Sequence, residues 1–387
     1  MKLLGKRENL MEFRDLKQQY RKLKPEIDKA MQAVLDCSNY ISGKQVSDLE
    51  AQLAEYVGTK YCVTCANGTD ALSLVLMAWG IKEGDAVFVP DFTFFASGEV
   101  VSFEGATPVF YDVDKLSYNA DTESLENAIQ EVLKEGKLIP KVIIAVDLFG
   151  LPADYPEIEK IAKKYNLLVL EDGAQGFGGE IEGRKACSFG DAATTSFFPA
   201  KPLGCYGDGG AVFTNDGTVA DYMKSVRVHG KGSFKYDNIR IGRNSRLDTL
   251  QAAVLQVKLG AFATYELNDV NSVAEWYTKY LKGYVITPVV EENFYSSWAQ
   301  YTIQLPDKET RDGLQAYLKE NGIPSMVYYP KPMHEQAAFA DVKEYVECNV
   351  TKKLCDTVLS LPMHPYLTNE ECKYVSEKVV EYLKEEK

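Results

Sequence analysis

The fold is decided by the stretch KVIIAVDLFGLPADYPEIEKIAKKYNLLVLEDGAQ, which spans residues 141–175. Its two ends are apolar runs that finish in polar turns, and residues 155–165 between them have the spacing of an amphipathic helix. Apolar strands that alternate with helices are typical of a mostly parallel, buried sheet with helices on both faces. Ligands bind such sheets beyond the carboxyl ends of the strands, so we expect Asp172 and Gln175 to lie at the ligand-binding edge.

The same alternation continues upstream. The predicted strand YCVTC (61–65) is followed by a turn at Asn67-Gly68 and by a helix for which Thr69 or Asp70 is the expected N-cap. Such a strand–turn–helix directs free backbone N–H groups at a bound anion, although a plainly capped helix has the same sequence pattern. The other upstream segments predicted are helices at 12–36, 46–57 and 121–134 and strands at 86–90 and 108–114.

Beyond about residue 246 the pattern changes, and a long helix, RLDTLQAAVLQVKLGAF, leads towards a second domain. The segments predicted after it are strands at 298–306 and 325–329 and helices at 308–320 and 368–387. We therefore expect an α/β fold with two parts. A large domain with an N-terminal helical segment covers residues 1–260, and a smaller C-terminal α+β domain covers residues 261–387.

Composition limits the possible partners. The 387 residues include 43 Lys and Arg against 56 Asp and Glu, and the net charge of −13 argues against nucleic acid or an anionic membrane. No apolar run approaches the ~18 residues of a membrane span, and the first residues lack the apolar core of a signal peptide, so we expect a cytoplasmic protein. Cys62 and Cys65 form a C-x-x-C with no second pair at zinc spacing, which favours reduced thiols over a redox or metal site.

A lysine lies in unusual surroundings within TSFFPAKPLGCYGDGG, residues 195–210. Lys201 follows an apolar run and precedes a glycine-dense turn, so desolvation is expected to lower its pKa from ~10.4. A neutral amine is what Schiff-base chemistry requires, and the glycines allow the backbone to approach a ligand closely. The alternative is a lysine whose stem covers apolar surface while its ammonium reaches water.

Four features together fit one cofactor. Lys201 can hold an aldehyde, and the carboxylate of Asp172, at the end of an apolar strand, can pair with a pyridinium nitrogen. The backbone of Gly68 and Thr69 can bind a phosphate, and the ring of Phe94 can stack on an aromatic ring. An aldehyde, a pyridine and a phosphate on one molecule describe pyridoxal 5′-phosphate. Taken singly, Asp172 is equally compatible with a helix cap and Phe94 with a core ring.

Several motifs in order resemble the DegT/StrS family of sugar-nucleotide aminotransferases, which have the fold-type-I aspartate-aminotransferase architecture. The resemblance extends from about Phe13 to about Gln336 and depends most on a lysine in SFFPxKxLG combined with NSRLD. The motifs that carry it are ANGTDAL (66–72), GDAVFVPDFTFFAS (84–97), GATPVFYDVD (105–114), EDGAQ (171–175), TSFFPAKPLGCYGDGGAVFTND (195–216) and GRNSRLDTLQAAVLQVKL (242–259).

The resemblance implies a role for each matching residue. Lys201 resembles the family's Schiff-base lysine, Asp172 the residue on the pyridine nitrogen, and Gln175 the residue near the cofactor's ring oxygen. Asn244 matches a residue that reaches the phosphate from the other subunit, so a homodimer with shared active sites is implied. The remaining matches are Thr69 and Ser196 as phosphate ligands and Phe94 as the stacking ring.

The substrate is a finer question. The segments around Lys201 and NSRLD resemble most the subgroup that acts on UDP-2-acetamido-2-deoxy-3-oxo-glucuronate with glutamate as donor, in pathways to polysaccharide and lipopolysaccharide. There, Arg246 would lie close to the sugar carboxylate, although it is equally placed to stabilise a dimer. Tyr328 stands where that subgroup offers a histidine to the substrate. A 4-keto or 3-keto-6-deoxy nucleotide sugar, or a non-catalytic sensor that binds PLP or a sugar nucleotide, are the alternatives.

Overall fold

A computed structural model of the chain describes residues 11–234 and 236–385. The expectations for residues 1–10, and for the last two residues of the predicted C-terminal helix, lie outside this part of the chain. Within residues 11–234 and 236–385, no helix is both long and apolar enough to cross a membrane.

The described residues form helices and strands in the following order. The helices are α1 Leu16–Cys37, α2 Lys44–Val57, α3 Gly68–Ala78, α4 Ala96–Phe103, α5 Thr122–Glu135, α6 Tyr155–Tyr165, α7 Gly217–Val226, α8 Thr249–Ala261, α9 Leu267–Leu281, α10 Lys308–Glu320, α11 Asn349–Thr357 and α12 Asn369–Glu385. The strands are β1 Tyr61–Cys65, β2 Asp85–Pro90, β3 Thr107–Tyr111, β4 Ile139–Val146, β5 Leu168–Asp172, β6 Glu180–Ile181, β7 Arg184–Lys185, β8 Ala192–Ser196, β9 Gly210–Thr214, β10 Phe294–Tyr295, β11 Tyr301–Gln304 and β12 Val358–Leu361.

The central sheet has seven strands in the order β1-β9-β8-β5-β4-β2-β3. Strands β8, β5, β4, β2 and β3 are parallel to one another, and β9 is antiparallel to both of its neighbours. The apolar residues of β4 are buried along its length from Val142 to Val146, as a sheet covered on both faces requires. The mostly parallel α/β sheet predicted from residues 141–175 is therefore confirmed.

Side-chain caps explain why helices α1 and α3 begin at other residues than predicted. Helix α1 begins at Leu16 instead of at residue 12, because the carboxylate of Asp15 accepts a hydrogen bond from the N–H of Gln18 at 2.8 Å. Helix α3 begins at Gly68, and its N-cap is Asn67, whose side chain accepts from the N–H of Asp70 at 2.7 Å. The expectation of a Thr69 or Asp70 cap was wrong.

The C-terminal part begins along a continuous helical rod. Helix α8 passes through five π-helical residues, Phe262–Glu266, directly into α9. Strands β11 and β12 form an antiparallel pair beyond it. The domain boundary near residue 260 stays a prediction.

The strand predicted at 325–329 does not form. Only Met326 in this segment pairs with β12, through hydrogen bonds in both directions with Ser360. Pro324 and Pro330 enclose the segment and have no N–H to donate, which limits the pairing to this one residue.

The candidate site residues meet at the edge where the parallel strands end. Strands β1, β2, β5 and β8 run in the same direction, so their last residues lie along one side of the sheet. Asp172 ends β5 and Ser196 ends β8, and Thr194 is the register partner of Asp172. Helix α3 begins at this edge after β1, and the segment that carries Phe94 follows β2.

Candidate active site

A buried carboxylate lies at the centre of the site. Asp172 is 5% exposed, and its Oδ2 accepts a hydrogen bond from the hydroxyl of Ser97 at 2.8 Å. Its Oδ1 accepts from the backbone N–H of Ala174 at 3.2 Å. Burial raises the pKa of Asp172, while the donors on Ser97 and Ala174 and the charge of Lys201 act in the opposite direction. An aspartate has more acceptor sites than these two donors occupy, so it can accept a further N–H.

Lys201 lies close enough to Asp172 for their charges to interact. Burial lowers the pKa of the Lys201 amine from its ordinary value, the carboxylate of Asp172 partly offsets this, and the charge of Arg14 lowers it further. Lys201 is partly exposed, and the lowered pKa indicates that its amine is more desolvated than that of a lysine whose ammonium extends into water. The backbone at Lys201 is held by a hydrogen bond from its N–H to the carbonyl of Phe198 at 2.8 Å.

Gln175 and Phe94 are joined through a tyrosine. The side-chain oxygen of Gln175 accepts from the N–H of Phe149 at 2.8 Å, and its amide donates to the hydroxyl of Tyr329 at 3.2 Å. The ring of Tyr329 lies 6.2 Å from that of Phe94, centroid to centroid. Phe94 is 53% exposed, so it is not a core ring and its side chain is accessible to a planar ligand.

The start of α3 forms a cradle for an anion. The N–H groups of Gly68 and Thr69 belong to the first turn and have no partner within the helix. A Cβ placed on Gly68 would lie 2.8 Å from the Cβ of Ser196, so only glycine permits this approach between α3 and β8. The Ser196 hydroxyl therefore lies beside the N-terminus of α3, where backbone N–H groups and the helix dipole favour an anion.

Three predicted residues lie outside this cluster or at its rim. Tyr328 adjoins Tyr329 and contacts the ring of Phe13 edge-on at 6.2 Å. Asn244 is exposed and pairs with Val228. Arg246 lines a cavity of about 310 Å³ whose walls include Lys44, Glu50, Arg227 and Lys231, and none of the cluster residues lines that cavity.

Sequence reasoning missed Ser97, Tyr329 and Arg14. Ser97 follows Phe94 by three residues and contributes its N–H to the carbonyl of Phe94 at 3.2 Å, so the same turn supplies the stacking ring and the donor to Asp172. Its position within PDFTFFAS was the available signal. Tyr329 and Arg14 contact residues that are distant in sequence, and no local pattern marks them.

The residues present fit pyridoxal 5′-phosphate. The cradle at Gly68 suits a phosphate, Phe94 offers an exposed aromatic ring, and Asp172 offers a buried carboxylate for a cationic ring nitrogen. Lys201 supplies an amine with a lowered pKa beside them. When bound, this cofactor draws electrons away from a carbon that carries an amino group, which makes a proton on that carbon removable.

Comparisons with known proteins agree with this chemistry. The sequence profile of the DegT/DnrJ/EryC1/StrS aminotransferase family matches residues 21–380. The chain is 46% identical over 367 residues to the UDP-2-acetamido-2-deoxy-3-oxo-D-glucuronate aminotransferase of Pseudomonas aeruginosa, with 95% of this chain and 98% of that protein covered.

Solved structures give the same result. A DegT DnrJ EryC1 StrS aminotransferase from Brucella abortus superposes with a TM-score of 0.93 at 47% identity, covering 95% of this chain and 98% of that chain. A Bacillus subtilis protein with bound cofactor PMP superposes with a TM-score of 0.85 at 28% identity, covering 94% and 82%. The α/β fold predicted from the sequence and the expected pyridoxal phosphate dependence are therefore confirmed.

Proposed function

This chain belongs to the DegT/DnrJ/EryC1/StrS aminotransferase family of pyridoxal phosphate enzymes, and we propose that it transfers the amino group of L-glutamate to C3 of UDP-2-acetamido-2-deoxy-3-oxo-D-glucuronate. The observation that carries the proposal is the juxtaposition of Lys201, Asp172 and the Gly68 cradle in a chain this similar to the Pseudomonas aeruginosa enzyme. We place the activity in the cytoplasm, on the route to an amino sugar for polysaccharide.

Each cluster residue has a role in this proposal. The Nζ of Lys201 would hold the cofactor at rest and, once released, would move the proton of the amino-acid carbon. The carboxylate of Asp172, held by Ser97, fixes the ring nitrogen in its protonated form. The N–H groups of Gly68 and Thr69 bind the phosphate. Ser196 would donate its hydroxyl to the same group, Gln175 would lie at the ring oxygen, and Phe94 would cover the ring face.

A homodimer with shared sites is part of the proposal. Residues 228–234 and 236–244 carry exposed apolar side chains, and isolated antiparallel bridges join Val228 to Asn244 and Lys231 to Asn238. Phe234 is 74% exposed and Ile241 88% exposed, and apolar surface of this kind is typical of a contact with another chain. The same segment carries Asn244 and leads to Arg246, which would reach the partner's site.

Mixing two inactive variants tests whether each active site contains residues from both subunits. Lys201→Ala and Asn244→Ala are each inactive in homodimers if the site needs both residues. In a mixed dimer one site then has both changes and the other has neither, so random mixing restores about one quarter of the wild-type activity. If each site is built within one chain, no mixture contains an intact site and the activity does not return. Re-association after mild unfolding, checked by native mass spectrometry, verifies that mixed dimers form.

A panel of keto sugars tests the substrate. We expect the uronate to be preferred, and Arg246→Gln to lower kcat/KM by about 10–100-fold for the uronate only, because a guanidinium fork matches a carboxylate. Arg184→Gln, at a half-exposed arginine on β7, is the matched control. Tyr328→Phe tests whether its hydroxyl touches the sugar. Preference for a 4-keto or 3-keto-6-deoxy sugar, with Arg246→Gln neutral, would contradict the proposed substrate.

The response of the cofactor spectrum to glutamate distinguishes an aminotransferase from a non-catalytic sensor. In an aminotransferase, glutamate removes the visible absorbance of the bound cofactor and leaves the pyridoxamine form, and a keto sugar restores the absorbance. A yellow protein whose spectrum glutamate does not change would indicate a binding protein instead.

A further inference from the structure

Two cations, the partly buried Arg14 and the buried Lys258, hold the backbone that follows the reactive lysine. The guanidinium of Arg14, which precedes α1, donates from Nη2 to the carbonyl of Lys201 at 2.9 Å and to that of Pro202 at 3.2 Å. The ammonium of Lys258, from α8, donates to the carbonyl of Gly204. Lys258 is 1% exposed, so this contact replaces its hydration.

The loop that these cations hold is tightly packed. The N–H of Cys205 donates to the carbonyl of Phe197 at 2.8 Å, which closes the loop across its base. A Cβ on Gly204 would lie 2.5 Å from the carbonyl oxygen of Pro199, so the turn has no room to relax inwards. Three carbonyls of one short loop, those of Lys201, Pro202 and Gly204, therefore accept hydrogen bonds from cations, and these bonds hold the backbone to which the Lys201 side chain is attached.

The charges around this loop are mostly positive. Burial and the charge of Arg14 together lower the pKa of Lys258 to about 8, although Glu266 and Cys205 partly offset them. Burial is also the main cause that lowers the pKa of Lys201, with Arg14 adding to it and Asp172 opposing it. The charged or titratable groups that face Arg14 are Lys201, Lys258, Glu266, His364 and Tyr366.

We propose that Arg14 is a positioning residue for Lys201: its guanidinium fixes the loop through two carbonyls and places a permanent positive charge near the amine. The charge favours the neutral amine over the ammonium, because two like charges in a desolvated space repel. Lys258 supplies a third hydrogen bond to the same loop. The inference rests on the proposed role of Lys201 as the residue that holds the cofactor.

The test measures the reactivity of Lys201 in the cofactor-free protein. Labelling by an amine-specific acylating reagent is followed against pH, with the Lys201 peptide quantified by mass spectrometry. In Arg14→Gln we expect labelling at neutral pH to be at least about threefold slower than in wild type, with the difference vanishing at high pH. Arg14→Lys retains the charge and restores the pH profile. Arg21→Gln, at an exposed arginine of α1, leaves it unchanged.

Lys258→Met distinguishes the effect of the hydrogen bonds that hold the loop from the effect of the Arg14 charge. It removes the contact with Gly204 but leaves Arg14 in place, so we expect a lower melting temperature without the change in the pH profile of Lys201. A profile in Arg14→Gln that matches wild type would overturn the inference, as would a shift in Lys258→Met equal to that in Arg14→Gln. Should Arg14→Gln fail to fold, judged by circular dichroism, Arg14→Lys and Arg14→Met are compared instead. Failure of the proposed function is seen separately, as glutamate turnover that survives in Lys201→Ala.

Discussion

Adding one methyl group to the phosphate cradle should weaken both the fold and the binding of the cofactor. In Gly68→Ala the new Cβ would lie 2.8 Å from the Cβ and 3.2 Å from the hydroxyl of Ser196. The atom in the way is the root of a side chain at the end of β8, so relief requires the backbone to shift. The first turn of α3 and the end of β8 must therefore move apart.

The expected cost follows from the packing at this point. Forcing one methyl into a filled space destabilises proteins by about 1–3 kcal/mol. If Gly68 and Ser196 bind the phosphate together, their separation also costs binding energy. Since 1.4 kcal/mol corresponds to a tenfold change in affinity, we expect pyridoxal phosphate to bind about tenfold or more weakly.

Two measurements check this prediction, with Gly260→Ala as the control. Gly260 is exposed in α8 with no heavy atom within 4 Å of its added Cβ, so alanine there is expected to stabilise by up to about 1 kcal/mol. Urea unfolding of the cofactor-free variants gives the stability, and titration with pyridoxal phosphate gives the affinity. If Gly68→Ala behaves like Gly260→Ala in both assays, the cradle assignment is refuted. Loss of stability with unchanged affinity would retain the packing argument and refute the phosphate role.

Three further outcomes are expected. Lys201→Ala should lower glutamate turnover at least about 10³-fold in a single-turnover absorbance assay, and near-normal turnover would exclude Lys201 as the reactive amine. Asp112→Ala should lower the free energy of unfolding in urea by about 2–4 kcal/mol, because Asp112 accepts bonds from the N–H groups of Val350 and Thr351 and from the Thr351 hydroxyl; an effect within ±0.5 kcal/mol would contradict this. Burial and the charge of Arg14 lower the pKa of His364 to about 4, below the ~6.5 of an unfolded chain. The unfolded state then binds more protons between these values, so stability is complete above pH ~6.5 and decreases as the pH falls towards 4; urea unfolding of His364→Gln should show a smaller decrease over that range, and an unchanged slope would contradict the assignment.

The sequence by itself determined the kind of sheet and the residues at its edge. The apolar runs in residues 141–175 predict parallel strands because strands buried on both faces exclude polar side chains, and Asp172 follows because it ends such a run. The apolar residues before Lys201 and the glycines after it predicted that this lysine is a desolvated, reactive amine. Each of these inferences depends on residues within one short segment, and the structure confirms the parallel sheet and the position of Asp172 at the end of β5.

The tertiary structure alone decided which distant segments meet. Arg14 and Lys201 are 187 residues apart, and Gln175 and Tyr329 are 154 residues apart, yet each pair is joined by a hydrogen bond. Met326 pairs with Ser360, while the strand expected around it is absent. Contacts of this kind depend on the spatial order of the strands in the sheet and on how the helices pack over that sheet. The spacing of apolar residues within a segment indicates which face of a helix or strand is buried. It does not indicate which other segment covers that face, so it predicts neither the strand order nor the helix packing.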